Sequence, residues 1–521
     1  MVQLWIDNAQ IEVAEGTTVL EAARRLSIDI PALCYLADHE PNNSCMCCLV
    51  RVAGNGGPVP ACGTKVREGM HIESETPEIH ELRRTGLELL LADHAGDCHA
   101  PCEHTCPARM DIPDMLHHVA AGNYRAAIEV VKRDIALPAI LGRVCPEVCE
   151  QACRRGQHDS PAAICRVKQF VADRDLATLS PYQPARVTLS GKHIAIVGSG
   201  PTGLTAAFHL TQFGHECTLI EQNNELGGRL RREFSAEDLP PEVLQAEAAA
   251  VTDGVVERWF GQQVGRDVLI DDLAAEFDAV LLVTGRATDK AWLNEAEINT
   301  TPNGIAVDGQ TRMTSRIGVF AAGNAVRTYK LVVQSVAEGK LAAQCINAWL
   351  RELPMPDRHQ AFETRMARLT AGEICDFCTG YPETPRVADR AVVKGLSEEQ
   401  ARREAERCLE CACPALDTCK LHYYAALYQC DARRFHGNTR RFEGRLVDGD
   451  LVLEPGKCIL CGICIQLARD APDAAGLAFL GRSLEMRIGP PQGVSLSQAM
   501  GSSAQACAEA CPTGAIAVRS R

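Results

Sequence analysis

Apolar and polar residues alternate through Met1–Val13, the period-two pattern of a half-buried strand pair. Val19, Leu20, Ala23 and Leu26 then recur at helical spacing within Thr17–Leu26. A helix carrying Leu82, Leu87, Leu90 and Leu91 follows, and about forty residues of amphipathic helix separate Cys106 from Cys145. His193–Val197 reads as a short apolar strand running into a glycine-rich turn and an Ala/Leu-rich helix. A second strand, Cys217–Ile220, ends on Glu221, and Glu398–Cys408 reads as a charged helix. No apolar run approaches the ~20 residues that cross a bilayer, so no membrane span is expected. The chain has 521 residues, which at ~100–200 residues per domain predicts roughly three to five domains of mixed α+β and α/β type.

Composition narrows the picture at two points. A net charge of −14, with no basic stripe, opposes a nucleic-acid partner. The 26 cysteines are the anomaly. The N-terminus lacks the basic start and apolar block of a signal peptide, so a cytoplasmic protein is expected, and there clustered cysteines read as metal ligands or redox centres rather than disulfides.

Cys34, Cys45, Cys48 and Cys62 supply four thiolates from one tight loop and two separated segments, which suits a [2Fe–2S] rhombus, with zinc as the rival. Their spacing, with Ile30-Pro31 and Ser44-Cys45-Met46-Cys47-Cys48, resembles the N-terminal [2Fe–2S] domain of the large iron–sulfur subunit of respiratory complex I and of related formate dehydrogenases and hydrogenases. That resemblance favours iron–sulfur and leaves Cys47 a bystander.

A second group comprises Cys98, Cys102, Cys106-Pro107, Cys145-Pro146, Cys149, Cys153 and Cys165. Short-spaced cysteines followed by proline suit [4Fe–4S] binding, in which a distant residue takes the fourth corner. The stretches Cys102–Pro107, Asp111–Pro113 and Gly142–Cys153 resemble the N-terminal domain of the glutamate synthase small subunit and of dihydropyrimidine dehydrogenase. Two cubanes need eight ligands and the segment holds seven cysteines, which implies one other ligand. His94 stands where complex-I-like subunits use a ligating histidine; as a lone histidine it reads equally as a helix-end residue. Which cysteines share a cluster is open, because a distant ligand can serve the other cluster.

Gly198, Gly200, Pro201, Thr202 and Gly203 form a G-x-G-x-x-G turn between strand and helix, and Glu221 follows about twenty residues on. The turn lets backbone approach a pyrophosphate at a helix N-terminus, with the acid on the ribose, and both NAD and FAD fit. Leu226–Arg231, with Gly228 and Arg229, and Ile317–Asn324, with Gly323 and Asn324, resemble flavin motifs of the glutamate synthase family and imply FAD. Asn324 replaces that family's usual aspartate. Only about thirty residues separate Gly285 from Thr314, too few for a second dinucleotide-binding domain, so the NAD(P)H half is expected to be missing.

Near the C-terminus, Cys408, Cys411, Cys413-Pro414 and Cys419 fit one further [4Fe–4S] site, with zinc the rival, and Cys375 and Cys378 form an unassigned C-x2-C that could complete or replace part of it. Cys458, Cys461 and Cys464 with Cys511-Pro512 resemble the [4Fe–4S] domain of complex-I-type and formate dehydrogenase subunits, with Cys507 an alternative to Cys511. Cys217, Cys345 and Cys430 read as buried free thiols.

The resemblances together imply a β-grasp [2Fe–2S] domain over residues 1–78 and a helical domain with two [4Fe–4S] clusters over 79–185. A Rossmann-like FAD domain without a second dinucleotide domain is expected over 186–352, a cysteine-rich segment over 353–440 and a ferredoxin-like [4Fe–4S] domain over 441–521. The cofactors expected are FAD, one [2Fe–2S] cluster and about four [4Fe–4S] clusters. The function expected is electron transfer as a subunit of a larger oxidoreductase such as a hydrogenase or formate dehydrogenase, with other redox subunits, and ferredoxin as a further candidate, as partners. The alternatives are a stand-alone ferredoxin-linked flavin oxidoreductase and a scaffold with a vestigial flavin site.

Overall fold

The computed structural model describes residues 1–54, 56–252, 256–286, 291–356, 362–387, 395–435 and 442–518. The chain divides into two compact units. Met1–His99, Gln360–Gly380 and Ala412–Arg521 make up the first, and Ala100–His359 with Tyr381–Cys411 the second.

In the first unit the expected strand pair is the hairpin Val2–Ile6 and Ala9–Val13, turned by Asp7 and Asn8 at positive φ. It belongs to a five-stranded sheet in which Val2–Ile6 also pairs in parallel with Met70–Glu73; Leu49–Val52 and Pro58–Pro60 complete the far side. The helix Val19–Arg25 starts at Thr18, whose hydroxyl accepts from the Glu21 amide while the Glu21 carboxylate accepts from Thr18, a reciprocal cap that fixes its origin. Its buried face joins Leu4, Ile6, Val50 and Ile72 in one apolar core that includes Cys48 and Cys62. The same unit holds the helix Pro77–Ala92 and a small sheet of Leu446–Asp448, Leu451–Leu453 and Ile516–Val518.

The second unit is built on a five-stranded parallel sheet. Its order is Val319–Ala321, Ala279–Leu282, His193–Val197, Glu216–Glu221 and Val256–Phe260. Such strands are buried on both faces and read as apolar runs, as His193–Val197 does. The helices Pro201–Gln212 and Val332–Leu350 cross tightly at Gly339, where an added Cβ would lie 2.4 Å from the Thr202 carbonyl oxygen.

Two expectations are corrected. The stretch after Cys106 is three helices, Ile112–Ala120, Tyr124–Asp134 and Pro138–Val144. The first break falls at Gly122, which has positive φ, and Asn123 caps the next helix; Pro138 opens the third, at a position where its missing N–H costs nothing. The charged helix is Glu398–Ala405, capped by Ser397, so Cys408 and Cys411 lie beyond it in loop. Between Val283 and Val319 the described residues hold only the helix Ala291–Glu295 and the short hairpin Thr300–Thr301/Gly304–Ile305. Among the described residues no helix is long and apolar enough to cross a membrane.

Candidate functional site

The first cysteine set lies in the first unit, where Cys48 precedes the strand Leu49–Val52 and Cys62 follows Pro58–Pro60. All four thiols are buried, and they meet as two pairs, Cys34–Cys45 and Cys48–Cys62, each with 3.4 Å between sulfurs. Two irons held by four thiolates need all four close together, and Cys34 also hydrogen-bonds Cys62 across the two pairs. Hydrogen bonds from Cys45 and then Cys62 hold the Cys34 thiol far below its ordinary value, while its hydrogen bonds with Cys34 push Cys45 far up. Cys47 is fully buried, and its thiol donates to the Cys45 carbonyl at 3.2 Å.

The same unit holds two more sets. Cys458, Cys461, Cys464 and Cys511 line a small apolar cavity with Ile459, Ile463 and Ile516. Gly462, at positive φ, turns the chain between the second and third. Cys507 is buried behind it, its thiol 3.7 Å from the Cys464 carbonyl. Cys98, Cys413 and Cys419 form the other set. The Cys413 amide donates to the Cys98 carbonyl at 3.0 Å, and Cys419 is pushed up to about 12 by burial and then by the charges of Cys413 and Cys98. His94 lies nearby in sequence and is half-buried, but its Nδ1 atom is buried and has no hydrogen-bond partner among the described residues. Burial, and then the Lys457 charge, lower its pKa to about 4, so its imidazole is neutral.

The second unit gathers two quartets. Cys102, Cys153, Cys408 and Cys411 act on one another, and burial followed by the charges of the other three raises Cys102 well above its ordinary value. Cys145 hydrogen-bonds Cys165, which is itself bonded to Cys149, and Cys106 joins them around the Lys168 ammonium. Short helices deliver these thiols: Cys106 caps Pro101–Thr105, Cys145 caps Pro138–Val144, Cys149 lies on Val148–Gln151 and Cys165 opens Ile164–Leu176.

These groupings correct the expectation that Cys408, Cys411, Cys413 and Cys419 form one site. The first two lie in the second unit with Cys102 and Cys153, and the last two lie in the first unit with Cys98. The shortfall of one ligand in the helical segment disappears with it, because Cys98 leaves that segment while Cys408 and Cys411 join it. Cys375 is exposed and Cys378 half-buried at the end of the helix Ala371–Cys378. Among the described residues no group of three or more His, Cys, Asp or Glu is gathered tightly enough to chelate a single metal ion. The fit to clusters rests on the donors, which are sets of thiols without carboxylates.

A cavity of about 700 Å³ opens at the C-terminal ends of the parallel strands in the second unit, lined by Gly198, Gly200, Pro201, Thr202, Glu221, Gly228, Arg229 and Asn324. A Cβ on Gly203 would lie 2.0 Å from the Gly198 carbonyl oxygen, so the turn closes only on glycine. A Cβ on Gly200 would meet no protein atom within 4 Å, and the open space there is what close approach of a pyrophosphate requires. Gly323, at positive φ, leaves room for Thr202, whose Oγ1 would lie 2.4 Å from its Cβ. The Ser199 amide and hydroxyl donate to Glu221 at 3.0 and 2.6 Å, which fixes the carboxylate at the end of its strand. The Asn324 Oδ1 accepts from the Tyr329 amide at 3.0 Å, and Arg229 donates to the Tyr329 carbonyl at 2.8 Å. The backbone at Tyr329 thereby ties these two lining residues together.

Comparison with known proteins matches residues 1–77 to a 2Fe-2S iron–sulfur cluster binding domain and residues 88–179 to dihydropyrimidine dehydrogenase domain II, 4Fe-4S cluster. Residues 163–339 match the pyridine nucleotide-disulphide oxidoreductase family. The chain is 35% identical over 207 residues to the NADP(+)-dependent formate dehydrogenase subunit beta of Moorella thermoacetica, covering 36% of this chain and 29% of that one. It is 36% identical over 192 residues to the NAD-dependent dihydropyrimidine dehydrogenase subunit PreT of Salmonella typhimurium, covering 36% and 46%. To the glutamate synthase [NADPH] small chain of Mycobacterium tuberculosis it is 35% identical over 206 residues, covering 38% and 40%. The chain thus spans less than half the length of each of these relatives. Domains similar to cluster-binding domains of two kinds and to a pyridine nucleotide-disulphide oxidoreductase are thus joined in one chain.

Proposed function

We propose that this chain is an electron-relay subunit of a larger cytoplasmic oxidoreductase, and that its partner subunits carry the substrate chemistry. Cys34, Cys45, Cys48 and Cys62 hold a [2Fe–2S] cluster. Cys458, Cys461, Cys464 and Cys511 hold one [4Fe–4S] cluster, and Cys98, Cys413 and Cys419 hold another with His94. Cys102, Cys153, Cys408 and Cys411, and Cys106, Cys145, Cys149 and Cys165, hold two more. FAD lies along Gly198, Gly200, Pro201, Thr202 and Gly203, with its ribose at Glu221 and its flavin side toward Gly228, Arg229, Gly323 and Asn324. Flavin exchanges electrons singly or in pairs whereas clusters pass them singly, so the combination joins paired-electron chemistry to a one-electron chain.

One observation carries this reading. In the first unit, thiols from three different sets, Cys34 and Cys45, Cys461, and Cys419, pack in a single apolar cluster. The Asn42 side chain donates to the Cys461 carbonyl, and the Cys419 thiol lies 3.7 Å from the Pro512 carbonyl, next to Cys511. Three centres wedged into one core serve transfer between centres rather than three separate chemistries. The relatives are subunits of a formate dehydrogenase and of a dihydropyrimidine dehydrogenase, and a glutamate synthase small chain; the first of these suggests the kind of complex.

The test is an anaerobic preparation assayed for iron, sulfide, zinc and released flavin, then titrated with NADH and with dithionite. About eighteen iron atoms per chain match the proposed clusters. One FAD bleached by dithionite and untouched by NADH is the expected result. Rapid bleaching by NADH would overturn the relay reading in favour of a stand-alone reductase, and absent flavin would favour a scaffold.

A further inference from the structure

Three lysines are buried among the described residues: Lys132, Lys168 and Lys457. Two have carboxylate partners. Lys132 Nζ lies 2.6 Å from Asp175 and donates also to the Tyr182 carbonyl, and Lys457 is ion-paired with Glu454. Lys168 is different. It is 4% exposed, and its one hydrogen-bond contact among the described residues is the Cys165 thiol at 3.8 Å. The charges that act on it most strongly are those of Cys165, Cys145, Cys149 and Cys106, and no carboxylate lies within ion-pair distance of it among the described residues.

An unpaired ammonium buried in protein is expelled or neutralised unless an anion compensates it. Four neutral thiols do not compensate it, whereas four thiolates around an iron–sulfur core form an anion. The position is set by the fold. Lys168 stands one turn after Cys165 on the helix Ile164–Leu176, on the same face. That helix packs closely on Pro138–Val144, where a Cβ on Gly142 would lie 2.6 Å from Gln169 Cβ. The head group lies against the Cys165 thiol.

We infer that Lys168 is a positioning residue for electron transfer, a fixed counter-charge that raises the reduction potential of the cluster held by Cys106, Cys145, Cys149 and Cys165. This rests on the assignment of that quartet to a [4Fe–4S] cluster under the proposed function. The cluster gains one negative charge when it takes up an electron from an external reductant such as dithionite. A neighbouring cation stabilises that state more than the oxidised one. Net charge and hydrogen bonds to sulfur are among the factors that set cluster potentials, and Lys168 supplies both. Among the described residues no other set has an unpaired buried lysine, so this centre is set apart as an electron sink among the clusters of the second unit.

The test is a mediated redox titration of the full chain, prepared anaerobically and followed by electron paramagnetic resonance. Cys145→Ser identifies the signal, which disappears with its share of the iron. Lys168→Met is expected to shift that signal alone to lower potential by at least tenfold in the reduction equilibrium, which is 59 mV for one electron. Lys168→Arg, which keeps the charge, is expected to stay within that margin. If Lys168→Met loses iron, Lys168→Gln is titrated in its place. Loss of iron in both neutral variants but not in Lys168→Arg supports the need for charge, and loss in all three overturns it. An unchanged potential in Lys168→Met, or an equal shift in Lys168→Arg, overturns the inference while the Cys145→Ser result leaves the cluster in place. Unaltered iron and spectra in Cys145→Ser would instead remove the cluster assignment, and the inference with it.

Discussion

Gly203 faces the carbonyl of Gly198 so closely that a single methyl group there would lie 2.0 Å from its oxygen. Gly200, three residues earlier, faces open space instead. The two glycines therefore answer to different constraints, one from the protein and one from the ligand. Gly203→Ala is predicted to lower the melting temperature, by an overpacking cost of about 1–3 kcal/mol, and to lose flavin. Gly200→Ala is predicted to lose flavin with an unchanged melting temperature in the flavin-free protein. Released FAD per chain and thermal melts of flavin-free samples read the two effects separately. Full flavin retention in Gly200→Ala would remove the pyrophosphate from this turn.

Cys411 and Cys413 are two positions apart and serve different sets. Cys411→Ser is predicted to remove the same spectroscopic signal as Cys153→Ser, and Cys413→Ser the same signal as Cys98→Ser. Each loss is about four iron atoms per chain or a conversion to a smaller cluster. Identical spectra for Cys411→Ser and Cys413→Ser would restore the single site that the spacing alone suggests.

That pair marks the limit of what the sequence makes legible. The quartet Cys34, Cys45, Cys48 and Cys62 could be read directly, because its thiols are close along the chain and flanked by elements of clear period. The dinucleotide turn was equally plain, since strand, glycines, helix and Glu221 occur in order. Cys458, Cys461, Cys464 and Cys511 were legible for the same reason. The groupings of Cys98, Cys102, Cys153, Cys408, Cys411, Cys413 and Cys419 were not, because they depend on the chain leaving the first unit after His99, returning to it over Gln360–Gly380 and again from Ala412. Cys102 and Cys153 meet Cys408 and Cys411 across more than 250 residues, and no local spacing rule carries that distance. Lys168 was invisible for a simpler reason. A lysine in a helix is usually solvated, and only its burial among thiols gives it meaning.

Glu247 joins the helical and dinucleotide parts of the second unit by accepting from the Ala139 and Ile140 amides, at 2.6 and 2.8 Å, at the start of Pro138–Val144. Burial pushes its carboxyl up to about 7, against an ordinary 4.5. Between those two values the native state holds a proton that the unfolded chain has released. Stability therefore falls as pH rises through this window, by of order 3 kcal/mol in all, and is lowest above it. Glu247→Gln is predicted to flatten that dependence while starting lower by about 1 kcal/mol, since one amide oxygen replaces two acceptors. Melting curves of both proteins across the window check this, and parallel curves would refute it.

His94 offers a sharper test of the set in the first unit that lacks a fourth thiol. Its neutral imidazole has a buried Nδ1 without a partner among the described residues, and a metal centre that takes the lone pair of that nitrogen would offset the cost. On the proposed assignment Cys98, Cys413 and Cys419 fill three corners of a cubane, and a neutral nitrogen at the fourth would make the cluster less negative than four thiolates. Replacing thiolate by imidazole raises a cluster's potential, as it does when two histidines replace two cysteines in Rieske centres. His94→Cys is therefore predicted to retain iron, to lower the potential of one signal, and to erase the nitrogen hyperfine coupling from that signal. His94→Ala is predicted to leave a three-thiolate cluster that loses iron more readily. If the coupling is absent in the wild type and the potential is the same in His94→Cys, the fourth ligand is not His94, and its buried nitrogen must be explained by water.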